Sequence, residues 1–349
     1  MSKGRVAVAM SGGVDSSVAA ALIQEQGYEV EGVTMRLLSS NGAGDDETIA
    51  RAAKVCEVLG IPHQVVDLSE AFETIVIDNF AHEYEQARTP NPCIVCNEHI
   101  KFGLLWDWMD QSGFDFLATG HYATAEDTHL KRPKDRSKDQ TYFLYRIERE
   151  RLPRILFPLA TWYKTDVKEY ASEHGLDIDA GKESQDACFI EGKDRCEIIK
   201  EHYPDAYKPG SIVTSDGLIV GLHEGLANYT IGQRHGLGVS GTGAPLYVIG
   251  LDQRLNKVVV GSREEGKVTT LTSTDYVVDS AALGKENGIW PVSAKARYNM
   301  IAAKADLEIK DGIMTVKMDE ELSGISPGQS VVCYHYDTVM GGGVISCVV

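Results

Sequence analysis

Long hydrophobic runs are missing from this sequence. No segment stays apolar for the roughly 18–20 residues that a bilayer-spanning helix needs, and no charged-then-apolar leader precedes the first strand-like run. A protein with no membrane span, working in the cytosol, is therefore expected. Cysteine is scarce: the seven thiols lack framework spacing, which argues against a disulfide-stapled scaffold and suits a reducing compartment. Positive charge is in deficit, with 34 Lys and Arg against 51 Asp and Glu and a formal net charge of −17, which argues against nucleic-acid binding through bulk charge. The lysine-terminated phosphate loop GxxxxGK[ST] occurs nowhere, which excludes a Walker-type site. There is no internal repeat and no low-complexity tract. Gly236-Leu237-Gly238-Val239-Ser240-Gly241 fits GxGxxG, but strand-like Leu246–Gly250 follows it rather than a helix. It reads as a glycine-rich loop, not a dinucleotide site.

What is present is most informative at Ser11-Gly12-Gly13-Val14-Asp15-Ser16-Ser17. The apolar run Arg5–Met10 leads in and the helical pattern Val18–Ile23 leads out. A strand, a tight glycine turn and a helix start aim backbone N–H groups and a helix dipole at an anion. Gly12 and Gly13 permit close approach of a phosphate, and Ser11, Ser16 and Ser17 add hydroxyl donors.

The 349 residues, 43% hydrophobic and 24% charged, suit a soluble globular chain of two or three domains. Strand-like runs at Val6–Met10, Val30–Met35, Gln64–Asp67 and Phe116–Thr119 alternate with helical patterns at Ser17–Gln26, Glu47–Leu59, Phe72–Tyr84 and Asn97–Met109. This predicts an α/β fold, a doubly wound parallel sheet with ligands at the carboxyl ends of its strands. A hairpin-like stretch, Ala123–Ile147, and a helix at Thr165–His174 follow. After about residue 196 the texture turns to short alternating runs. Ser211–Val220 reads as strand–turn–strand, and further runs lie at Ala294–Tyr298, Ala303–Ile309, Met314–Met318, Ser330–Tyr336 and Val344–Val349, the pattern of a small β domain or barrel. Hinges are expected near 196–210 and 261–268.

Charge is unevenly spread. Residues 1–130 carry 7 Lys and Arg against 20 Asp and Glu, whereas residues 131–154 carry 9 against 4. Such a basic island is either an RNA footprint or a solvated hairpin. Cys93 and Cys96 sit behind two prolines in Thr89-Pro90-Asn91-Pro92-Cys93-Ile94-Val95-Cys96-Asn97. A helix is expected to begin just after Cys96, a position that depresses thiol pKa. Cys188 lies far along the chain. Sulfur-handling thiols, three ligands of an iron–sulfur cluster, or zinc completed by Cys196 all fit these residues. Cys56, Cys333 and Cys347 read as core.

Together SGGVDSS, TPNPCIVCN, Gly120–Ala123 (GHYA), Lys138–Leu144 (KDQTYFL), SQDACFI, YTIGQRHGLG, Ala294–Tyr298 (AKARY), Ser326–Gln329 (SPGQ) and Gly341–Ile345 (GGGVI) resemble, in this order and over nearly the whole chain, the tRNA-specific 2-thiouridylases of the MnmA family. That resemblance implies an ATP-pyrophosphatase domain over 1–196, a small central tRNA-contacting domain over 197–265 and a C-terminal β-barrel over 266–349. It implies ATP-dependent 2-thiolation of the wobble uridine of tRNA. Ala9, Met10, Ser11, Gly12, Gly13, Val14, Asp15 and Ser16 would form the ATP loop, with Asp15 helping to hold Mg²⁺ and Met35 and Gly120 near the nucleotide. Asn91, Pro92 and Cys93 would meet the target base. Lys138, Asp139, Gln140, Arg297 and Tyr298 would touch tRNA, with His121 and Gln329 nearby. Cys188 would carry a persulfide and Cys96 would release its sulfur, closing a Cys96–Cys188 disulfide.

Many members carry Asp where this chain has Cys93. The CxxC version would give, with Cys188, the three thiolates of a [4Fe–4S] cluster. The sulfur would come from a donor protein, a persulfide relay or a cysteine desulfurase. Two other readings remain at this point: a pyrophosphate-loop enzyme that adenylates a small molecule, and a non-catalytic RNA-binding redox sensor.

Overall fold

A computed structural model describes residues 3–38, 43–176, 188–190, 195–239, 245–284 and 288–349. The chain divides into two compact units. The first comprises Met1–Val76, Cys93–Gln185 and Asp337–Val339; the second comprises Ile77–Pro92, Asp186–Tyr336 and Met340–Val349.

In the first unit, strands β1 (Arg5–Ala9), β2 (Glu29–Arg36), β3 (His63–Asp67) and β4 (Phe116–Thr119) are followed by a hairpin, β5 (Thr124–Glu126) and β6 (His129–Lys131), and by the short β7 (Ile155–Leu156). A parallel sheet forms in the order β3-β2-β1-β4-β7. Ala9 pairs with Val33 on one side and Thr119 on the other, so β1 and β4 end side by side where the strand order reverses. That reversal is where open α/β sheets take ligands. Helices α1 (Val14–Glu25) and α2 (Ala43–Leu59) pack on this sheet, and the central strand is apolar because it is covered on both faces. The core holds Val6, Val8, Val18, Ile23, Val55 and Leu159.

Two expected helices differ in detail. The Phe72–Tyr84 pattern is an α-turn Ser69–Phe72, a π-helical turn Glu73–Ile77 and a helix Asp78–Glu85, and the division between units falls inside it, after Val76. The pattern placed at Asn97 starts at Pro92: an α-turn Pro92–Val95, a π-helical stretch Cys96–Leu104, then α3 (Leu105–Gln111). Gly103 makes the wide turn feasible, because a Cβ there would lie 3.0 Å from the Glu98 carbonyl oxygen. The Ala123–Ile147 stretch is a hairpin only as far as Lys131. Beyond it, Asp135 accepts from the Ser137 amide and Asp139 from the Thr141 amide, each at 3.0 Å, and these side-chain turns start short helices where a strand was expected. A helix, α4 (Lys164–Glu173), closes the described part of this unit's C-terminal side.

In the second unit, α5 (Arg195–His202) precedes β8 (Gly210–Thr214), β9 (Ile219–His223), β10 (Tyr247–Asp252) and β11 (Lys257–Gly261), a sheet of order β10-β11-β8-β9 over a core of Ile212, Tyr229, Val248, Val258 and Val260. Then come β12 (Lys267–Ser273), β13 (Asp275–Val278), β14 (Gly288–Lys295), β15 (Ala303–Lys310), β16 (Ile313–Ser323), β17 (Ser330–His335), β18 (Thr338–Val344) and β19 (Cys347–Val348). They run antiparallel in the order β19-β12-β16-β15-β14-β17-β18, with β13 paired to β18. Alternation on β15 and β16 buries Ala305, Leu307, Ile309, Met314, Val316 and Met318, the period-two pattern that announced these strands. The expected Val344–Val349 strand is broken after Val344, where the Ile345 amide donates to the Gln329 carbonyl. Among the described residues no helix is long and apolar enough to cross a membrane.

Candidate active site

The glycine turn stands at the carboxyl end of β1. Gly12 has φ +68°, and a Cβ on it would lie 2.8 Å from the Arg51 side chain, so only glycine fits there. The Ser16 and Ser17 hydroxyls both donate to the Gly13 carbonyl, at 3.0 and 2.9 Å, and Ser16 Oγ also accepts from the Ser11 amide at 3.2 Å. The serines therefore brace the turn. Gly13, the N-cap of α1, provides no side-chain cap, and the helix start carries the positive end of a dipole of about half a charge. Gly120, just past β4, touches the same turn: a Cβ on it would lie 2.7 Å from the Asp15 carbonyl carbon and 2.8 Å from the Ser16 amide. The structure thus brings Ala9, Met10, Ser11, Gly12, Gly13, Val14, Asp15, Ser16 and Gly120 to one place. Met35 lies on the neighbouring strand, two residues after Val33, whose carbonyl accepts from the Met10 amide at 2.8 Å.

Asp15 is more constrained than the sequence suggested. Lys164, at the start of α4, donates to both of its carboxylate oxygens at 2.7 Å, and the buried Tyr122 hydroxyl donates to one at 3.0 Å. The lysine side chain is only 12% exposed, so this pair is held more firmly than a surface salt bridge. An ammonium group is therefore poised beside the anion cradle. Sequence reasoning missed Lys164 and Tyr122 because the lysine contact spans 149 residues and nothing local marks it. As a site for Mg²⁺, the carboxylate supplies the right hard oxygen donors, but they become available only when Lys164 moves off them.

Cys93 lies one residue after Pro92, inside the helix rather than ahead of it. Its side chain is exposed, yet the protein around it desolvates the thiol and pushes its pKa up, with the Lys101 charge opposing. The depressed thiol expected from a helix start is thus reversed for Cys93, because desolvation outweighs the opposing charge of Lys101. Cys96 is buried in the π-helical stretch. His121 bonds through Nδ1 to the Thr119 hydroxyl at 2.8 Å. Burial pushes its imidazole well below the ordinary value and Lys101 pushes the same way, so it is neutral near pH 7. Cys188 belongs to the second unit and is exposed; the next residue, Phe189, is buried edge-on against Phe80 at 5.2 Å, which anchors the thiol's backbone. The remainder of the SQDACFI motif, Ser184–Ala187, lies outside the described residues. Cys196, the candidate fourth zinc ligand, lies on α5 and donates to Asn228 at 3.5 Å. Among the described residues no three His, Cys, Asp or Glu side chains are grouped to hold a metal ion. Cys56 and Cys333 are core thiols, pushed up to about 11 and about 12 by burial. Cys347, expected in the core, is exposed on the two-residue β19.

The residues expected to touch tRNA divide by role. Asp139 is buried, paired with Arg132 at 3.3 Å and accepting from Thr141, so it shapes the 135–144 turns. Gln140 holds the backbone of Tyr122, accepting its amide at 2.8 Å. Lys138 is partly exposed on the turn before them. In the second unit, Gln329 donates to the carbonyls of Thr89 and Pro90 at 3.0 and 3.3 Å, and the Thr89 amide donates to Pro327 at 2.8 Å. The SPGQ turn therefore grips the segment leading to Asn91 and Pro92. Arg297 is exposed after β14, and Lys295 lies over the Tyr298 ring at 5.3 Å.

Comparison with known proteins matches this arrangement over the whole length. Family models described as tRNA methyl transferase HUP domain, tRNA methyl transferase PRC-barrel domain and Aminomethyltransferase beta-barrel domain fit residues 4–192, 196–262 and 270–345. The tRNA-specific 2-thiouridylase MnmA of Halothermothrix orenii is 42% identical over 355 residues, covering 98% of each chain. The chain belongs to the MnmA family. A second relative, MnmA 1 of Syntrophus aciditrophicus, is 43% identical over 361 residues and covers 98% of this chain and 93% of its own. Among solved structures, a 4-thiouridine synthetase–RNA complex with bound ATP covers 58% of this chain and 51% of its own at 20% identity and a TM-score of 0.38, too slight a likeness to bear on function. The MnmA relatives and this chain share an extent that takes in the glycine turn, the three candidate thiols and the antiparallel C-terminal sheet.

Proposed function

We propose that this chain catalyses ATP-dependent 2-thiolation of the wobble uridine of tRNA. The observation that carries the reading is the uncapped, serine-braced glycine turn at the strand-order reversal, in a chain alike over its full length to proteins named tRNA-specific 2-thiouridylase. The turn takes the phosphates of ATP, which arrives with Mg²⁺ as part of the substrate. Asp15 would take the metal, and Lys164, released from Asp15, would neutralise phosphate charge as it develops.

The uracil C2 carbonyl is a poor electrophile with an oxide leaving group. Its O2 attacks the α-phosphorus of ATP, and the bond to the β-phosphate oxygen breaks, releasing pyrophosphate and leaving an O2-adenylate. The terminal sulfur of a Cys188 persulfide then adds to C2, and AMP departs with O2. The Cys96 thiolate attacks the Cys188 sulfur and breaks its bond to the transferred sulfur. The products are 2-thiouridine and a Cys96–Cys188 disulfide, which two electrons and a fresh persulfide from a sulfur-donor protein must reset. Neutral His121 and the Asn91–Cys93 segment position the base, while Lys138, Arg297 and Tyr298 hold the RNA.

The CxxC spacing of Cys93 and Cys96 supports a second version, in which they and Cys188 would hold a [4Fe–4S] cluster, although the described residues group no three such side chains. An iron and sulfide assay after anaerobic purification separates the two versions. The function itself is tested by pyrophosphate release with and without unmodified tRNA. Release that requires tRNA supports thiolation. Release driven by a small carbonyl compound points to a different adenylating enzyme, and no release in any condition points to a non-catalytic RNA-binding protein.

A further inference from the structure

In the second unit, a hollow of about 240 Å³ opens where the β10 strand meets the turn after β16. Two guanidinium groups, Arg263 and Arg297, line it, together with Ser323 and the backbone of Gly232 and Gly324. Among the described residues, no acidic one lines it. That is unusual in a chain with 51 acidic and 34 basic residues, where an arginine readily finds a carboxylate. Arg263 makes one long bond, 3.4 Å to the Ser323 hydroxyl, and Arg297 makes one of equal length to the Gly324 carbonyl. Neither is paired with a carboxylate among the described residues. Most donors of two planar forks thus remain to be satisfied in one place.

The floor of the hollow is built for close approach. Gly232 and Gly324 both have left-handed backbones, with φ +91° and +69°, and a Cβ on Gly232 would lie 2.9 Å from the Gly324 Cα. A Cβ on Gly324 would press on Arg297 Nη1 at 3.4 Å. Side chains at either place would fill the space between the arginines. The volume is below the roughly 300–1,000 Å³ of pockets that enclose a whole small-molecule ligand, and the polar side chains that line it besides the two arginines are Ser323 and Tyr247. Its size and charge suit one anionic group attached to a larger body.

We infer that this hollow is a phosphodiester seat for the RNA substrate, with Arg263 and Arg297 gripping one backbone phosphate and Ser323 donating to it. Two guanidinium forks are the arrangement that best matches phosphate oxygens. The inference rests on the tRNA-thiolation reading and adds to it a residue, Arg263, in which nothing in the sequence pattern announced a role. It also gives work to Gly232, the first glycine of the YTIGQRHGLG motif, which the chemistry at the thiols does not use.

The test compares tRNA affinity over a range of salt for the full-length wild type, Arg263→Gln and Arg263→Lys, with thermal melts as a folding control. Arg263→Gln is expected to weaken binding roughly tenfold and to make the plot of log affinity against log salt shallower by about 0.7–0.9, the loss of one phosphate contact. Arg263→Lys should keep the slope and lose less affinity, because the charge stays and the fork goes. Unchanged affinity and slope in Arg263→Gln, with the wild type binding tightly, would overturn the phosphate seat and leave thiolation standing. Absence of salt-dependent tRNA binding by the wild type would overturn both. Phenylglyoxal labelling of Arg263 gives a readout independent of any variant. Protection by tRNA supports the seat; protection by inorganic phosphate but not by tRNA assigns the hollow to a free anion and contradicts it.

Discussion

Cys188 and Cys93 are both exposed thiols, yet their settings differ. Cys188 is carried by a backbone pinned through Phe189 on Phe80, while Cys93 is desolvated inside a helical turn. A sulfur carrier must reach both donor and substrate, which suits Cys188. Cys188→Ser should abolish 2-thiouridine formation and leave tRNA adenylation measurable as AMP-linked RNA; thiouridine formed by that variant would remove Cys188 from sulfur transfer. At Gly120 the constraint is steric. Gly120→Ala would force a Cβ to within 2.7 Å of the loop backbone, so tRNA-dependent pyrophosphate release should fall at least about tenfold while the thermal melt shifts by a few degrees. Normal release by this variant would show that the glycine turn does not hold the nucleotide. The glycine turn was legible because its residues are contiguous. The Lys164–Asp15–Tyr122 cluster was not, since its partners come from three different parts of the chain and Lys164 belongs to no motif.

At the scale of elements, the four strands β1 to β4 were readable as apolar runs, and β4 matched residue for residue. The start of the Cys93 helix was misplaced although Pro92 marks it: proline favours the first helical position, where its missing N–H costs nothing. The π-helical stretch had no such marker. His121, at the end of β4, gives a pH dependence with a definite sign. Its folded pKa is depressed well below the ordinary 6.5, so the unfolded chain binds the proton more readily. The stability this contributes is complete above 6.5 and is lost as pH falls through 6.5 toward the folded value. Melting temperature should drop on mild acidification in the wild type and drop less in His121→Gln; parallel curves would mean that the imidazole is not desolvated. The SPGQ turn makes a second prediction. Gln329→Ala removes the donor to Thr89 and Pro90, so amide exchange at Thr89 should speed up relative to amides of the β15 strand. Unchanged protection at Thr89 would show that the segment before Asn91 is held by other contacts.

For the whole molecule, the question is how a chain of net charge −17 binds RNA. The basic island at 131–154 read as either a footprint or a solvated hairpin, and much of it is neutralised locally: Lys131 pairs with Glu126, Arg136 with Asp337, Arg146 with Glu98, Arg151 with Glu148 and Arg154 with Asp110. Composition could not show this because the acidic partners lie mostly outside the island. Binding must then depend on a few placed cations rather than on a field. Replacing Lys138 and Arg297 together with Gln should flatten the salt dependence of tRNA affinity by roughly 1.5 in slope. A slope equal to that of the wild type would put the RNA elsewhere. The most direct measurement is a single reaction with the purified chain, ATP, unmodified tRNA and a persulfide source, followed by nucleoside mass analysis and pyrophosphate assay. Stoichiometric pyrophosphate and 2-thiouridine, both requiring tRNA and ATP, are predicted. Pyrophosphate released at the same rate without tRNA, or thiouridine formed without ATP, would contradict the coupling of nucleotide cleavage to sulfur transfer.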